Sequence, residues 1–167
     1  RIEHIQSTTK RKIRETDAAV YEKYTAGTVK DVSEGRKGMI YVRTCAYNAE
    51  KTLRRAMDSV LNQTYGELTY YVLDNGSTDR TGEILREYAE KDSRVVPFFN
   101  RVNRNLKENP DFWSLAYRLK ENDMFCLLDA DDEYDTTFLE EMISFMKEKK
   151  LDIAACGTRF INAMNGT

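Results

Sequence analysis

Strand-like and helix-like segments alternate along most of the chain, and this alternation limits the possible folds more than any other feature of the sequence. Apolar runs typical of buried strands occupy residues 39–45, 68–73, 94–99, 123–128 and 151–156. Amphipathic segments typical of helices lie between them, at residues 49–62, 81–91, 110–120 and 136–150. The alternation predicts an α/β fold, with a mostly parallel sheet and helices on both of its faces.

The chain has 167 residues, which suits one domain with a substantial core. Residues 1–37 differ from the rest because they are rich in Lys, Arg, Glu and Thr and show only weak periodicity. We interpret them as an N-terminal helical extension or linker, and residues 38–167 as the folded domain. Because the first residue is Arg1, we expect the chain to be an excerpt of a longer protein.

Composition argues against several classes of protein. The 26 basic and 28 acidic residues nearly balance, whereas nucleic-acid-binding domains usually carry a basic excess. No apolar run is long enough for a membrane span, and the N-terminus lacks the apolar core of a signal peptide. Three scattered cysteines, Cys45, Cys126 and Cys156, predict buried free thiols rather than a disulfide framework. We expect a cytoplasmic location, peripheral to the membrane if other parts of the protein attach there.

Three polar turns follow predicted strands, at residues 45–50, 74–79 and 129–133. The carboxyl ends of parallel strands meet at one edge of the sheet, and ligands bind in the crevice beyond that edge. The sequence therefore predicts a binding site where these three turns converge.

The acidic turn predicts a metal site. Asp129, Asp131 and Asp132 place three carboxylates within four residues, and like charges so close repel one another unless a cation joins them. Hard oxygen ligands favour Mg²⁺ or Mn²⁺, which often share their coordination sphere with substrate phosphates. The alternative is an acidic helix N-terminus, for which Asp132, Glu133 and Asp135 would suffice. Asp129 lies too early for that role, at the strand end.

The turn at residues 74–79 has two interpretations. It can be a simple strand-to-helix connection, in which Gly76 supplies unusual backbone angles and Ser77 or Asp79 caps the helix. Beside the acidic turn, however, Asp74 and Asn75 are well placed to hydrogen-bond a nucleobase.

Four motifs in this order resemble those of family 2 glycosyltransferases of the GT-A fold. They are Tyr47-Asn48 with Glu50, then Ser59 through Gln63-Thr64, then Asp74 through Thr81, then Leu128 through Asp132. Order, spacing and strand context agree over about residues 38–157. The resemblance implies a Rossmann-like GT-A fold whose C-terminal portion is truncated in this chain.

The resemblance also implies roles for individual residues. The nucleotide-binding set would be Cys45, Ala46, Tyr47, Glu50, Asp74, Asn75, Asp129 and Ala130. Within it, residues 45–47 would frame the base, Asp74 and Asn75 would lie beneath it, and Asp129 would lie near the ribose. Asp131 would be the main ligand of a Mn²⁺ or Mg²⁺ ion bridging to the diphosphate, with Asp132 as a further ligand.

The sequence departs from the family pattern at several of these positions. Asn75 stands where many members have a second aspartate, and its amide can donate as well as accept, which weakens the case for uracil. Cys45-Ala46 replaces a common Pro-Thr pair, and Asn103 through Asn105 stand where Asn-x-Gly is common. Trp113-Ser114 replaces an Arg-Asn pair that often holds phosphate. Arg101, Arg104 or Arg118 could substitute.

The implied reaction is the metal-dependent, inverting transfer of a sugar from a nucleotide diphosphate donor, UDP-linked, to a carbohydrate or other acceptor hydroxyl. We expect the catalytic base beyond Thr167. One alternative is a nucleotide-sugar-binding module without catalysis of its own. Another is a haloacid dehalogenase-type phosphatase with Asp129 as nucleophile, although Glu133 stands where that motif has Thr or Val.

Overall fold

The computed structural model describes residues 38–105, 112, 119 and 122–159. In this part of the chain the order of elements is β1 (Ile40–Ala46), α1 (Leu53–Leu61), β2 (Leu68–Asp74), α2 (Thr81–Lys91), β3 (Val95–Phe99), β4 (Met124–Leu127) and α3 (Phe138–Lys149). The predicted extension at residues 1–37 lies outside the described residues. Of the predicted helix at 110–120, Phe112 is helical and Leu119 is not, and the other residues lie outside.

The four strands form one parallel sheet in the order β3-β2-β1-β4. In the register of β1 and β2, Ala46 lies opposite Asp74, so the turns that follow these strands begin at the same level. β4 pairs with the other side of β1, where Arg43 lies opposite Leu127, and this pairing brings the acidic turn to the same edge. The predicted convergence of the three turns is confirmed.

The larger core lies on the sheet face that carries the helices. α1 contributes Leu53, Ala56, Met57 and Val60, whose spacing of three and four residues forms one continuous apolar stripe. α2 and α3 add to the same cluster, and alternate residues of the strands, such as Val42 and Val72, complete it. The three described helices therefore hold one face of the sheet.

Aromatic side chains dominate the opposite face. Tyr71 and Phe112 are buried there, and the rings of Phe98 and Phe112 meet edge to face with centroids 5.5 Å apart. The guanidinium of Arg43, which is only 3% exposed, lies 4.8 Å from the ring centroids of both Phe112 and Phe125. Arg43 also donates to the carbonyl of Phe112 at 3.3 Å. A buried cation therefore lies between aromatic rings on this face of the sheet.

The prediction of a last strand at residues 151–156 is wrong. This segment is described and contains no strand, and Leu151 and Ile153 are 40% and 86% exposed. An apolar run becomes a strand only when a neighbour satisfies its backbone groups, and no described strand pairs with it. Cys156 is accordingly exposed rather than buried, whereas the free thiols of Cys45 and Cys126 are partly buried.

Helix boundaries also differ from the sequence prediction. α1 begins at Leu53 instead of residue 49, because residues 49–52 form a tight turn in which the N–H of Thr52 donates to the Ala49 carbonyl at 3.0 Å. In the described part of the chain, no helix has both the length and the apolar character needed to cross a bilayer.

Candidate functional site

A cavity of about 580 Å³ opens at the carboxyl edge of the sheet. Its lining comes from the loop after β1 and from the acidic turn after β4, together with one side chain of the turn after β2. The lining residues are Cys45, Tyr47, Asn48, Ala49, Glu50, Lys51, Thr52, Asp79, Asp129, Ala130 and Asp131. Small-ligand sites typically occupy roughly 300–1,000 Å³, so the cavity has a suitable size.

The structure brings six of the ten sequence-predicted site residues to the cavity. They are Cys45, Tyr47, Glu50, Asp129, Ala130 and Asp131. The other four do not line it: Ala46, Asp74 and Asn75 are buried at the strand ends, and Asp132 is exposed outside the lining. Tyr47, 48% exposed, is the one aromatic side chain among the described lining residues.

The acidic turn begins where β4 ends. The N–H of Leu128 still donates to the Arg43 carbonyl of β1 at 3.0 Å, and the N–H of Asp132 turns back to the carbonyl of Asp129 at 3.1 Å. Asp129, Asp131 and Asp132 are exposed, and within the described residues no salt bridge engages any of them. Their carboxylates are therefore open to an external cation.

The donor set suits a cation that is shared with a ligand. Among residues 38–105 and 122–159, no group of three or more acidic, His or Cys side chains is arranged to hold an ion alone. From the acidic turn, the carboxylates of Asp129 and Asp131 line the cavity. Mg²⁺ is typically bound through one or two carboxylates plus substrate phosphates, so the residues present fit such an ion once a diphosphate completes its coordination.

Asp74 is bound within its own turn. Its Oδ1 accepts the N–H of Ser77 at 2.9 Å, and the residue is 7% exposed. A Cβ placed on Gly82, in the first turn of α2, would lie 2.6 Å from the Asp74 Oδ2. The first turn of α2 therefore packs closely against this carboxylate.

Asn75 uses its whole amide inside the protein. Its Nδ2 donates to the Asn103 Oδ1 at 2.9 Å and to the Arg104 carbonyl at 2.8 Å. Its Oδ1 accepts from the Asn100 Nδ2 at 2.7 Å and from the Arg104 N–H at 3.3 Å. The side chain is 5% exposed and holds the loop that follows β3 against the end of β2.

Gly76 shows how closely that loop approaches. Gly76 has φ +78°, and a Cβ there would lie 2.3 Å from the carbonyl carbon of Val102. Both the left-handed backbone and the close contact require glycine. Arg101 and Arg104, suggested above as phosphate ligands, are exposed on this loop, and Arg118 lies outside the described residues.

The turns after β1 and β2 are joined by reciprocal hydrogen bonds, which we call the interturn hydrogen bonds. In the first direction, the N–H groups of Asn48, Ala49 and Glu50 donate to the side chains of Ser77, Thr81 and Asp79 at 2.9, 2.8 and 3.1 Å. In the return direction, the N–H groups of Thr78 and Arg80 donate to the side chains of Asn48 and Glu50 at 2.9 and 3.1 Å. The first and third sequence motifs therefore bind each other.

The second motif holds the segment that follows the acidic turn. Gln63 is 6% exposed, and its Nε2 donates to the carbonyls of Ser59 and Asp135 at 2.9 and 2.7 Å. Its Oε1 accepts the N–H of Leu139 at 2.9 Å. Gln63 enters the sequence prediction only as part of the resemblance. A glutamine just after an amphipathic helix is the signal in the sequence for this buried polar role.

Cys45 lines the cavity with an uncharged thiol. Burial raises the pKa of its thiol to about 11; the Arg43 guanidinium opposes this shift, and the carboxylates of Asp129 and Asp74 add to it. At neutral pH the thiol is therefore protonated and a weak nucleophile.

The family described as "Glycosyl transferase family 2" matches residues 41–167. An uncharacterized glycosyltransferase of Haemophilus influenzae is 31% identical over 120 residues, which are 72% of this chain and 36% of the relative. The match to this family favours the transferase hypothesis over the phosphatase hypothesis.

Solved structures are similar at the level of the fold. S. aureus TarS 1–349 in complex with UDP-GlcNAc has a TM-score of 0.57 and 21% identity, over 74% of this chain and 37% of that one. The mannosyltransferase PcManGT from Pyrobaculum calidifontis, in complex with GDP-Man and Mn²⁺, has a TM-score of 0.50 and 20% identity, over 71% and 36%. These similarities confirm the predicted α/β fold. The chain spans little more than a third of the length of each of the three proteins.

Proposed function

The chain belongs to glycosyl transferase family 2, and from this membership we propose that it carries the donor site of a glycosyltransferase. The donor is a nucleotide diphosphate sugar, UDP-linked, and the sugar passes to an acceptor hydroxyl with inversion at the anomeric carbon. The three free cysteines suit a reducing compartment, and we propose a cytoplasmic location for the reaction.

One observation carries the proposal: a single cavity joins the loop after β1 to the acidic turn after β4. The loop supplies Tyr47 and the neutral thiol of Cys45, surfaces suited to a nucleoside. The turn supplies the carboxylates of Asp129 and Asp131, which suit a cation-bound diphosphate. We assign the base of the nucleotide diphosphate to the Tyr47 end of the cavity and its phosphates to the Asp131 end.

Asp131 and Asp129 would hold a divalent ion, Mn²⁺ or Mg²⁺, with Asp132 as a further ligand from the exposed side of the turn. When bound, such an ion acts as a Lewis acid that offsets the negative charge developing on the departing diphosphate. The carboxylates orient the ion, and because they come from one short turn that begins at the strand end, their separation is set by the backbone. The Mn²⁺ in the PcManGT complex supports this assignment.

At the nucleobase end, we assign the main contacts to residues 45–47 rather than to Asp74 and Asn75. Asp74 and Asn75 are buried, and the Asp74 Oδ1 and the whole amide of Asn75 already bond inside the protein. A direct contact of Asn75 with the base, as the resemblance implies, requires its side chain to exchange partners when the ligand binds. Residues 45–47 can frame the base without such a change.

We propose that the described residues of this cavity do not supply the catalytic base. The acidic lining residues are already used: Glu50 and Asp79 accept backbone N–H groups, and Asp129 and Asp131 are assigned to the cation. The chemistry that the described residues supply is therefore donor binding and stabilisation of the leaving group.

A ligand-stability experiment tests the proposal. Melting curves of the protein are recorded with uridine, UDP, GDP or UDP-GlcNAc, each with Mn²⁺ or with EDTA. Ligands that bind the native state stabilise it by about 2.7 kcal/mol at a hundredfold excess over Kd. We expect a raised melting temperature that requires UDP and Mn²⁺ together. Absence of any shift with every nucleotide would contradict the donor site, and equal shifts in EDTA would contradict the metal.

A further inference from the structure

Asn48, Glu50 and Asp79 all line the cavity, yet each of them also accepts a backbone N–H through a side-chain oxygen. The Glu50 Oε2 accepts the N–H of Arg80, and the two carboxylate oxygens of Asp79 accept the N–H groups of Thr81 and Glu50. The two bonds that involve Glu50 are interturn hydrogen bonds, whereas the bond from Thr81 lies within the turn after β2. The interturn hydrogen bonds connect the loop that carries Tyr47 to the start of α2.

The arrangement is reciprocal, so each turn depends on the other. Glu50 donates its own N–H to Asp79 while its carboxylate receives the N–H of Arg80, both at 3.1 Å. Asn48 likewise donates its N–H to Ser77 and accepts from Thr78 through Oδ1, both at 2.9 Å. Asn48 also has φ 51°, a left-handed conformation that asparagine tolerates better than most residues.

Each of these bonds is weak alone, since a typical hydrogen bond contributes about 0.5–1.5 kcal/mol net. Together they satisfy three consecutive N–H groups before α1, those of residues 48–50, and two N–H groups before α2, those of Thr78 and Arg80. Neither turn can shift without breaking several of them. The position of Tyr47, which follows the end of β1 and precedes Asn48, is therefore set by the turn after β2.

From this geometry we infer that Glu50, Asp79 and Asn48 are positioning residues, which hold the loop of Tyr47 in the conformation that receives the nucleoside. The inference rests on the proposed donor site. It differs from the role that the resemblance implies for Glu50, a direct contact with the nucleotide. Binding sites require their contacting groups to be held to within a fraction of an ångström by supporting hydrogen bonds.

The two carboxylates make the inference testable, because they should respond oppositely to the same chemical change. Glu50 uses one oxygen as an acceptor, so Glu50→Gln retains the bond to Arg80 through its amide oxygen. Asp79 uses both oxygens, so Asp79→Asn places an N–H group against one of two backbone donors. Glu50→Ala removes the acceptor altogether, and Glu90→Ala is a matched control on the exposed surface of α2.

The test is calorimetric titration of the full protein and its variants with UDP and with uridine, in Mn²⁺, beside ligand-free melting curves. We expect Glu50→Gln and Glu90→Ala to bind within twofold of the wild type. Glu50→Ala and Asp79→Asn should bind both ligands about three- to tenfold more weakly, because the nucleoside end is displaced. Uridine is included because a loss at the diphosphate end alone would leave its affinity unchanged.

The outcomes separate this inference from the proposed function. If the wild type binds and Glu50→Gln loses as much affinity as Glu50→Ala, the carboxylate contacts the ligand and the positioning role is overturned. If Glu50→Ala melts at a lower temperature but binds as the wild type does, the hydrogen bonds serve stability only, and the role is again overturned. If the wild type binds neither ligand, the donor site itself fails, and the positioning role fails with it.

Discussion

The side-chain amide of Asn75 donates to the Oδ1 of Asn103 at 2.9 Å, across the gap between the end of β2 and the loop after β3. The same nitrogen donates to the Arg104 carbonyl, and the Asn75 Oδ1 accepts two further hydrogen bonds from that loop. An aspartate has no N–H to donate. The amide at position 75, which is a departure from the family pattern, therefore matches the asparagines of the loop opposite it.

We predict that restoring the common aspartate destabilises the protein. In Asn75→Asp, carboxylate oxygens would face the Asn103 Oδ1 and the Arg104 carbonyl, and a buried acceptor left unsatisfied costs about 1–3 kcal/mol. Urea unfolding should show a loss of at least 2 kcal/mol at neutral pH, more than for Asn75→Ala, which removes the bonds without adding repulsion. Equal stability of Asn75→Asp and the wild type would mean that the loop is not held through this amide.

A second prediction concerns Gln63, which holds the segment after the acidic turn in place. Its amide bonds two carbonyls and one N–H around the segment after the acidic turn. Gln63→Glu keeps the acceptor for Leu139 but loses both donors, and we expect about 2 kcal/mol of destabilisation in urea. Glu67→Gln, an exposed change of the same size, is the control. Unchanged unfolding of Gln63→Glu would show that the two carbonyls find other donors.

Four strands and three helices could be predicted from the sequence because buried strands and amphipathic helices differ in their apolar spacing, and α2 was predicted with its observed boundaries, Thr81–Lys91. The convergence of the turns could be predicted as well, since it follows from a parallel sheet. The strand predicted at residues 151–156 is absent because pairing is a tertiary property that an apolar run does not report.

The contacts of individual site residues could not be predicted from the sequence. Glu50, Asn75 and Asp79 are residue types that serve a nucleotide and a backbone N–H equally well, and only the fold shows which partner each one meets. Asp129 and Asp131 do line the cavity, as their place after a predicted strand indicates, since that place follows from the parallel sheet. Their assignment to a cation stays a prediction.

Acid should weaken the protein through Asp92. The hydrogen bonds from Arg94, the shortest at 2.7 Å, hold the pKa of the Asp92 carboxyl below its usual value, and burial opposes that shift. A pKa depressed in the folded state stabilises the fold above the unfolded pKa of about 3.9, and this stabilisation is lost as the pH falls through the folded pKa. The melting temperature of Asp92→Asn should therefore lie below that of the wild type at pH 7 and approach it toward pH 3. A constant difference across that range would contradict this, and Asp152→Asn, an exposed change, is the control.

Lys51 should contribute to diphosphate binding. Among the described residues that line the cavity it is the one cationic side chain, and it is exposed. Lys51→Ala is expected to weaken UDP binding about three- to tenfold at low salt and to leave uridine binding within twofold, because only UDP carries phosphate charge. The difference should shrink as salt is raised. Lys147→Ala on α3 is the control, and an equal loss for uridine would place Lys51 at the nucleoside instead.

Asp131 provides the sharpest test of the metal. It lines the cavity, is exposed and takes part in no described salt bridge, so Asp131→Asn should leave the ligand-free melting temperature close to that of the wild type. With the ion held less well, UDP affinity in Mn²⁺ should fall to the value that the wild type shows in EDTA. Transfer by the full-length protein should fall at least a hundredfold, which corresponds to about 2.7 kcal/mol of lost transition-state stabilisation. Asp152→Asn removes an exposed carboxylate elsewhere and should change neither quantity. Wild-type turnover in Asp131→Asn would contradict the role of Asp131 as main ligand, and wild-type turnover in excess EDTA would remove the divalent ion from the reaction.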